Sequence, residues 1–508
     1  MSHLRKSNKY DITVSTVPLL VLIGIIICIL VSPERSSQLI SSARDFLGNQ
    51  MSTYYLLLGI VFICISMYLA FSKHGNIVLG DRSKPRFSTM QWSMMIFTST
   101  MAADILFYSL HEWMYYWTST PLDFNEMSLE NKILWSESYS LFHWGLTPWI
   151  FYILPAVAYA YMMHVKKRDK QKVSEACRPL FGDKIDGPLG KIIDIVSVLA
   201  LLIATSTTFS LATPLLSSAI CAIFHIQSSK LLTIVVLLII AAIYTAAVLS
   251  GFKGISKVST ICVVLFCTLA GIFLVCGDTR FIVENALNSL GNTTQNFIRM
   301  STWTDVTRTG SGFPQDWTVF YWAYWIAWSV ANPFFIAKIS EGRTIRNTII
   351  GGTASGLAGS LFSFMVFGGF GIAEQASGRI QVAEKLAAGA DASDVIIEIF
   401  NQLSVPSLAL FVLVLAMIGF YTSTFDALTH VVASYSYKKI GTDEEPSKLS
   451  KVYWSVLFIL LPVTLLFSES TMTQLQSLSI IAAFPFSILV ILVVVSFFKE
   501  LRSHYDKH

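Results

Sequence analysis

Four of the chain's twelve tryptophans fall within twelve residues, Trp317-Thr-Val-Phe-Tyr321-Trp322-Ala-Tyr324-Trp325-Ile-Ala-Trp328. On a helix, Trp317, Tyr321, Tyr324, Trp325 and Trp328 recur at i, i+4, i+7, i+8 and i+11 and share one face, while Trp322 and Trp325 line an adjoining stripe. An aromatic belt at a membrane surface is shallow, and Trp317 alone fits one; this stripe runs about three turns deep. Deep indole faces suit desolvated quaternary ammonium cations, each contact giving about 0.5–2 kcal/mol by cation–π attraction. A second aromatic set reads Tyr139-Ser-Leu-Phe-His143-Trp144-Gly-Leu-Thr-Pro148-Trp149-Ile-Phe-Tyr152. Trp149 and Tyr152 are one turn apart there, and Gly145 with Pro148 loosens the hydrogen-bond ladder beside Trp144. His143 reads as a hydrogen-bonded structural histidine.

Two carboxylates fall inside apolar stretches. Asp104 follows Met95-Ile-Phe-Thr98-Ser-Thr100-Met101-Ala-Ala, and Asp426 ends Phe420-Tyr-Thr-Ser423-Thr424-Phe. A carboxylate at such a depth costs roughly 2.5–3.5 kcal/mol on insertion scales, so it faces a partner or a cavity. With no lysine or arginine in its own stretch, Asp104 is either protonated or neutralised by a cationic ligand or ion. Hydroxyls near Asp426 offer it hydrogen bonds. Ser423 and Thr424 are able to ligate a small hard cation, or to bond back to their own helix. No phosphate loop, dinucleotide fingerprint, zinc spacing or nucleophile–base pair occurs, so covalent catalysis has no candidate and the chain does not read as an enzyme.

The elements that must position these groups are membrane helices. Of 508 residues 54% are hydrophobic and 13% charged, and the mean hydropathy is +0.60. Soluble proteins are roughly a quarter charged. This balance excludes a cytosolic enzyme, a nucleic-acid binder and a secreted disulfide scaffold. Runs of about 20 apolar residues, the length that crosses a bilayer core, recur at 13–31, 52–72, 88–111, 136–164, 190–220, 230–250, 256–277, 316–337, 345–375, 403–433, 452–468 and 477–498. Segment 280–301 reads as an amphipathic surface helix. With twelve spans and the N-terminus inside, 27 of the 36 basic residues fall on the inner side, which puts both termini in the cytoplasm. The run Lys166-Lys167-Arg168-Asp169-Lys170-Gln171-Lys172 caps the fourth span as a topology anchor. Seven cysteines without a CxxC pair read as packing residues.

Three segments together resemble the betaine/carnitine/choline transporter family: Trp317 to Trp328 followed by Ile339-Ser-Glu-Gly-Arg343-Thr-Ile-Arg346, His143-Trp-Gly-Leu-Thr-Pro-Trp149, and Phe209-Ser-Leu-Ala-Thr-Pro214. The resemblance covers essentially the whole chain. It implies an all-α membrane protein of twelve transmembrane helices, with a LeuT-like core of two inverted five-helix repeats after two N-terminal helices. Residues 1–87 would hold the tail and peripheral helices, 88–277 the first repeat, 278–315 the surface helix and loop, 316–498 the second repeat, and 499–508 a short cytoplasmic tail. The implied state is a homotrimer in the inner or plasma membrane, with substrate near the midplane between broken helices.

By the same resemblance, the ammonium cage maps to Trp144, Trp149, Tyr152, Tyr324, Trp325 and Trp328, with Tyr324 where many members have Trp. The inner sodium site maps to backbone near Thr98, Met101 and Phe420, with the Ser423 and Thr424 hydroxyls. Sodium-independent carnitine exchangers place a basic side chain there; this chain has Cys262, and Asn332 stands where those exchangers have Met. Sodium-coupled betaine members have a Gly-rich stretch where this chain reads Thr100-Met-Ala-Ala-Asp104, so unwinding there is less assured. Asp104 resembles choline-transporting members. Choline is a net cation, so Asp104 would supply its counter-charge and repel the carboxylate of betaine or carnitine. Burial also favours the neutral acid, which would let Asp104 carry a coupling proton. The expectation is a secondary transporter of a quaternary ammonium compound, choline favoured, without a cofactor and with Na+ or H+ as coupling ion. The alternative is a carnitine/γ-butyrobetaine exchanger or a glycine betaine carrier. A tail of Lys499 to His508 leaves little room for a basic regulatory extension, so strong osmotic activation is not expected.

Overall fold

The computed structural model describes residues 10–99, 103–119, 121–122, 124, 126–168, 170–250, 252–308, 312–440, 444–468 and 472–505. Among the described residues the chain is helical, with two isolated backbone bridges, Tyr10 to Tyr437 and Val78 to Thr344. Among the described residues nine helices are long and apolar enough to cross a membrane, or eleven when each sharply bent pair is one span.

Helix α1 (Ile12–Val31) turns at Ser32 into the polar α2 (Pro33–Arg44), and α3 (Ser52–Phe71) follows. The third expected span is two helices, α4 (Thr89–Ser99) and α5 (Ala103–Thr118), inclined at 66°. Residues 100–102, where unwinding was in question, lie outside the described residues. Helix α5 also runs past the expected boundary at 111, because Trp113-Met-Tyr-Tyr-Trp117 extends its apolar surface.

The fourth span divides into α6 (Leu129–His143) and α7 (Leu146–Ala160). Gly145 makes the join: a Cβ there would sit 2.4 Å from the Leu141 carbonyl oxygen. Pro148 lies in the first turn of α7, where the missing N–H costs nothing. Next come the long α8 (Pro188–Phe224), α9 (Lys230–Ser250) and α10 (Phe252–Cys276). The chain then turns by 110° into α11 (Thr279–Thr302), the expected amphipathic helix. Its polar face is the packed one: Thr293 Oγ1 donates to the Ser138 carbonyl and Asn292 to Ser138 Oγ, both at 3.0 Å, and Asn285 bonds Glu137.

The eighth span is broken too. After a turn at Pro314–Thr318 comes α12 (Val319–Trp328), then an interruption at Ser329–Ala331, then α13 (Asn332–Ile339). The remainder is α14 (Ile345–Ser363), α15 (Gly369–Ala376), the short α16 (Val382–Ala387) and α17 (Ala392–Phe400), α18 (Pro406–Tyr435), α19 (Lys448–Phe467) and α20 (Met472–Tyr505). The Ile339–Arg346 signature is a clasp between broken helices. Trp92 of α4 donates to Ser340 Oγ at 3.0 Å, and the Arg343 guanidinium lies 4.1 Å over the Trp92 ring. Arg343 also donates to Asn347 Oδ1 and to the Phe87 carbonyl.

Candidate functional site

The two aromatic sets meet because α12 ends at Trp328, beside the join of α6 and α7. Trp325 is the centre, with ring centroids 4.7 Å from Tyr152, 5.4 Å from Trp144 and 5.7 Å from Trp149. Helix α14 fixes the Trp149 indole and the Trp144 backbone. Ser360 Oγ accepts the Trp149 indole N–H at 3.0 Å and donates to the Trp144 carbonyl at 2.8 Å. Trp149 reaches α14 only because residue 356 is glycine: a Cβ there would lie 2.3 Å from the indole.

Tyr324 and Trp328 form a second group, 6.4 Å apart, joined to the first through Tyr108 (6.1 Å from Tyr324, 5.4 Å from Trp144). Asp104 belongs to it. The Tyr324 hydroxyl donates to Asp104 Oδ2 at 2.5 Å, and Asp104 Oδ1 accepts the Ile105 N–H at 3.0 Å. Thr208 of α8 closes the network, 2.6 Å from the Tyr324 oxygen. Among the described residues no lysine or arginine is ion-paired to Asp104. Sitting in the first turn of α5, Asp104 has the positive end of that helix behind it. The α12 carbonyls end beside the rings, and the negative end of a helix favours a cation.

Among the described residues, the buried indole nitrogens of Trp325 and Trp328 and the buried Tyr108 hydroxyl find no hydrogen-bond partner. Trp322, by contrast, leaves the site. It packs on Phe142 at 5.2 Å and Phe151 at 6.2 Å, and its indole nitrogen would lie 3.2 Å from a Cβ at Gly59. Trp317 is half-buried against Tyr115, ring to ring at 4.5 Å.

The residues mapped to an ion site are less clearly assembled. Thr98 Oγ1 donates to the Met94 and Met95 carbonyls of its own helix, and Ser423 Oγ to the Phe420 carbonyl. Phe266 of α10 stands between Phe97 and Phe420, 6.4 and 6.5 Å from their rings. Thr424 is half-buried on α18, and Met101 lies outside the described residues. Cys262 packs against α18: its Sγ is 2.5 Å from where a Cβ at Gly419 would sit, and Ser423 hydrogen-bonds it. Asp426 faces Lys451 and Glu445 rather than neighbouring hydroxyls.

His143 is hydrogen-bonded at both nitrogens, as expected, to Tyr116 at 2.7 Å and Thr318 at 3.0 Å. The sequence reading missed Glu112, which it left in an outer loop. Glu112 is fully buried on α5 and accepts the Trp144 indole N–H at 2.6 Å. The available signal was its spacing, eight residues from Asp104 and so on the same helix face.

Broken helices bring rings and carboxylates together in the interior of a helical membrane protein. The chain belongs to the BCCT family, the betaine/carnitine/choline transporters, whose model matches residues 13–506. It is a transporter and not an enzyme. It is 30% identical to the glycine betaine transporter OpuD of Bacillus subtilis, over 97% of this chain and 94% of that one. It is 27% identical to a carnitine transporter of Acinetobacter baumannii, over 93% and 86% of the two chains. It is 26% identical to the high-affinity choline transport protein of Escherichia coli, over 99% of this chain and 74% of that one. A solved structure of a Na+-coupled sialic acid symporter, substrate-bound and outward-open, is 13% identical and covers 89% of this chain and 86% of its own, with a TM-score of 0.47.

Proposed function

We propose that this BCCT transporter carries choline, held by cation–π contact with Trp144, Trp149, Tyr152, Tyr324, Trp325 and Trp328 and by the counter-charge of Asp104. The observation that carries the reading is the Tyr324–Asp104 hydrogen bond of 2.5 Å at the junction of two broken helices. It holds an acceptor-only carboxylate beside the rings, and among the described residues no lysine or arginine is paired to it. Choline brings the missing positive charge, and its hydroxyl suits the unpartnered donors of Trp325, Trp328 or Tyr108. Betaine or carnitine would set a second carboxylate near the first, at a Coulombic cost that grows in a low-dielectric interior.

A second reading is favoured by those same donors, which would equally suit a ligand carboxylate. On it, the chain is a carnitine/γ-butyrobetaine exchanger or a betaine carrier, and Asp104 serves only a coupling proton. H+ carried on Asp104 and Na+ held by the Ser423 and Thr424 hydroxyls are the two candidate coupling ions. The division into inverted repeats at 88–277 and 316–498, cytoplasmic termini and a homotrimer in the plasma membrane complete the proposal. Helix α11 turns Val283, Leu287 and Ile298 outward, an apolar face suited to lipid or to another copy.

The test is radiolabelled choline uptake into proteoliposomes, with sodium and pH gradients imposed separately and betaine and carnitine as competitors. Saturable uptake abolished by Asp104→Asn, with zwitterions competing poorly, is the expected result. Normal choline uptake by that variant would sink the counter-charge reading.

A further inference from the structure

Two helical turns along α5 from Asp104, about 12 Å of rise, lies a carboxylate that the proposed cage leaves unused. Glu112 is fully enclosed. Its Oε2 accepts from Trp144 at 2.6 Å, and its Oε1 is 2.6 Å from the Tyr116 hydroxyl. That hydroxyl is 2.7 Å from His143 Nδ1, and His143 Nε2 is 3.0 Å from Thr318 Oγ1. The titratable groups facing Glu112 are His143 from α6, Tyr321 from α12, and Tyr108, Tyr115 and Tyr116 from its own helix. Among the described residues the only basic group paired with it is His143, at 3.8 Å.

One set of heavy atoms accommodates two proton inventories. With Glu112 as the acid, its Oε1–H donates to Tyr116, the Tyr116 hydroxyl donates to His143 Nδ1, and His143 Nε2–H donates to Thr318. With one proton fewer, the Tyr116 hydroxyl donates to the carboxylate, His143 Nδ1–H donates to Tyr116, and the Thr318 hydroxyl donates to Nε2. Every contact keeps one donor and one acceptor in both states. The conversion moves the Glu112 proton to Tyr116, the Tyr116 proton to His143 Nδ1, and the His143 Nε2 proton away past Thr318. No bond between heavy atoms changes, and nothing is oxidised or reduced.

We propose that Glu112, Tyr116 and His143 form a proton site of the transport cycle, holding one proton in the cation-free protein and releasing it past Thr318 when a quaternary ammonium ion reaches Trp144. The link is the indole itself, with its N–H on Glu112 and its ring 5.4 Å from both Trp325 and Tyr108. A cation at that ring favours the ionised carboxylate. By reciprocity, the bound proton weakens cation binding by the same factor. The inference rests on the ammonium cage proposed above, and its test separates the two.

The purified full-length protein is titrated with choline and with tetramethylammonium in weak buffer containing a pH indicator, binding being followed by tryptophan quenching. The wild type is expected to release protons on binding, and its affinity to rise by up to about tenfold per pH unit through the titration. The readout is protons released per cation bound, which does not depend on affinity. Glu112→Gln keeps an amide oxygen for Trp144 and should lose this proton; Tyr116→Phe cuts the path to His143 and should lessen the release even if the first variant fails to fold. Asp104→Asn reports separately on the other carboxylate. An unchanged proton count in both Glu112→Gln and Tyr116→Phe overturns the proposal. If no ammonium compound binds the wild type, the cage reading falls, and a ligand-free titration decides the proton site: a pH transition in tryptophan fluorescence lost in Glu112→Gln supports it, and one unchanged overturns it.

Discussion

The Tyr324 hydroxyl donates to Asp104 Oδ2 across 2.5 Å, tying α12 to the first turn of α5. The sequence singled out each residue separately, Tyr324 in the aromatic stripe and Asp104 as a carboxylate in an apolar stretch, and the structure places them in contact. A carboxylate beside the cage gains a phenol that orients it, with Thr208 supporting the phenol from α8.

Removing that donor tests the coupling. A hydrogen bond to a charged group is worth about 1.5–3 kcal/mol. Tyr324→Phe keeps a ring face and should raise the KM for choline roughly tenfold or more, with little change in protein yield. Tyr324→Trp should do the same while improving competition by betaine. Concentration-dependent uptake in proteoliposomes reads both, and an unchanged KM in Tyr324→Phe would separate Asp104 from the phenol.

Gly356 decides where Trp149 lies. A methyl group at 356 would overlap the indole at 2.3 Å, so Gly356→Ala must move the ring or the α14 backbone. Overpacking of this kind typically costs about 1–3 kcal/mol. The expected outcome is a lower melting temperature together with weaker tryptophan quenching by ligand. The control, Gly271→Ala, meets nothing within 4 Å and should alter neither.

Helix α11 is held by polar contacts rather than by its apolar face. Asn285→Ala would leave the buried Glu137 carboxyl short of a donor, at a cost of about 1–3 kcal/mol. Replacing both Glu137 and Asn285 by leucine should cost less than the two single losses summed. A thermal-unfolding cycle measures the coupling, and strict additivity would refute it.

The loop after α7 carries a charge clamp outside the membrane. Arg178 binds Glu175 at 2.6 and 2.8 Å and Asp186 at 2.9 Å, and Lys170 joins Asp186 at 2.7 Å. Hydrogen bonds from Arg178 and then Lys170 hold the Asp186 carboxyl well below the usual carboxylate range. Its contribution is therefore fully present above the ordinary value of about 3.9 and is lost only as pH falls beneath it. Hydrogen exchange over residues 182–187, corrected for intrinsic rates, should stay constant from about pH 7 to 5 and rise in stronger acid. Arg178→Ala should raise it throughout.

Residue type and spacing were enough to reveal a helical membrane protein, the two aromatic sets and the odd carboxylate at 104. Hydrophobic runs of bilayer length and a ring face at helical period are local properties, and they survive without knowledge of the fold. The sequence also located the weak points near Trp144, because a glycine and a proline act on their own backbone.

Other features required the assembled chain. Whether α5 stops at 111 or carries Glu112 into the interior depends on what covers Trp113 to Trp117, which the residues themselves do not state. That Tyr324 reaches Asp104, 220 positions away, and that Trp322 turns to α3 while Trp325 turns to the cage, follows from how broken helices cross. Helix period assigns a face, but only neighbouring helices decide what that face meets. For a carboxylate in a membrane interior, the identity of its partner decides whether it is a strut, a counter-charge or a proton site.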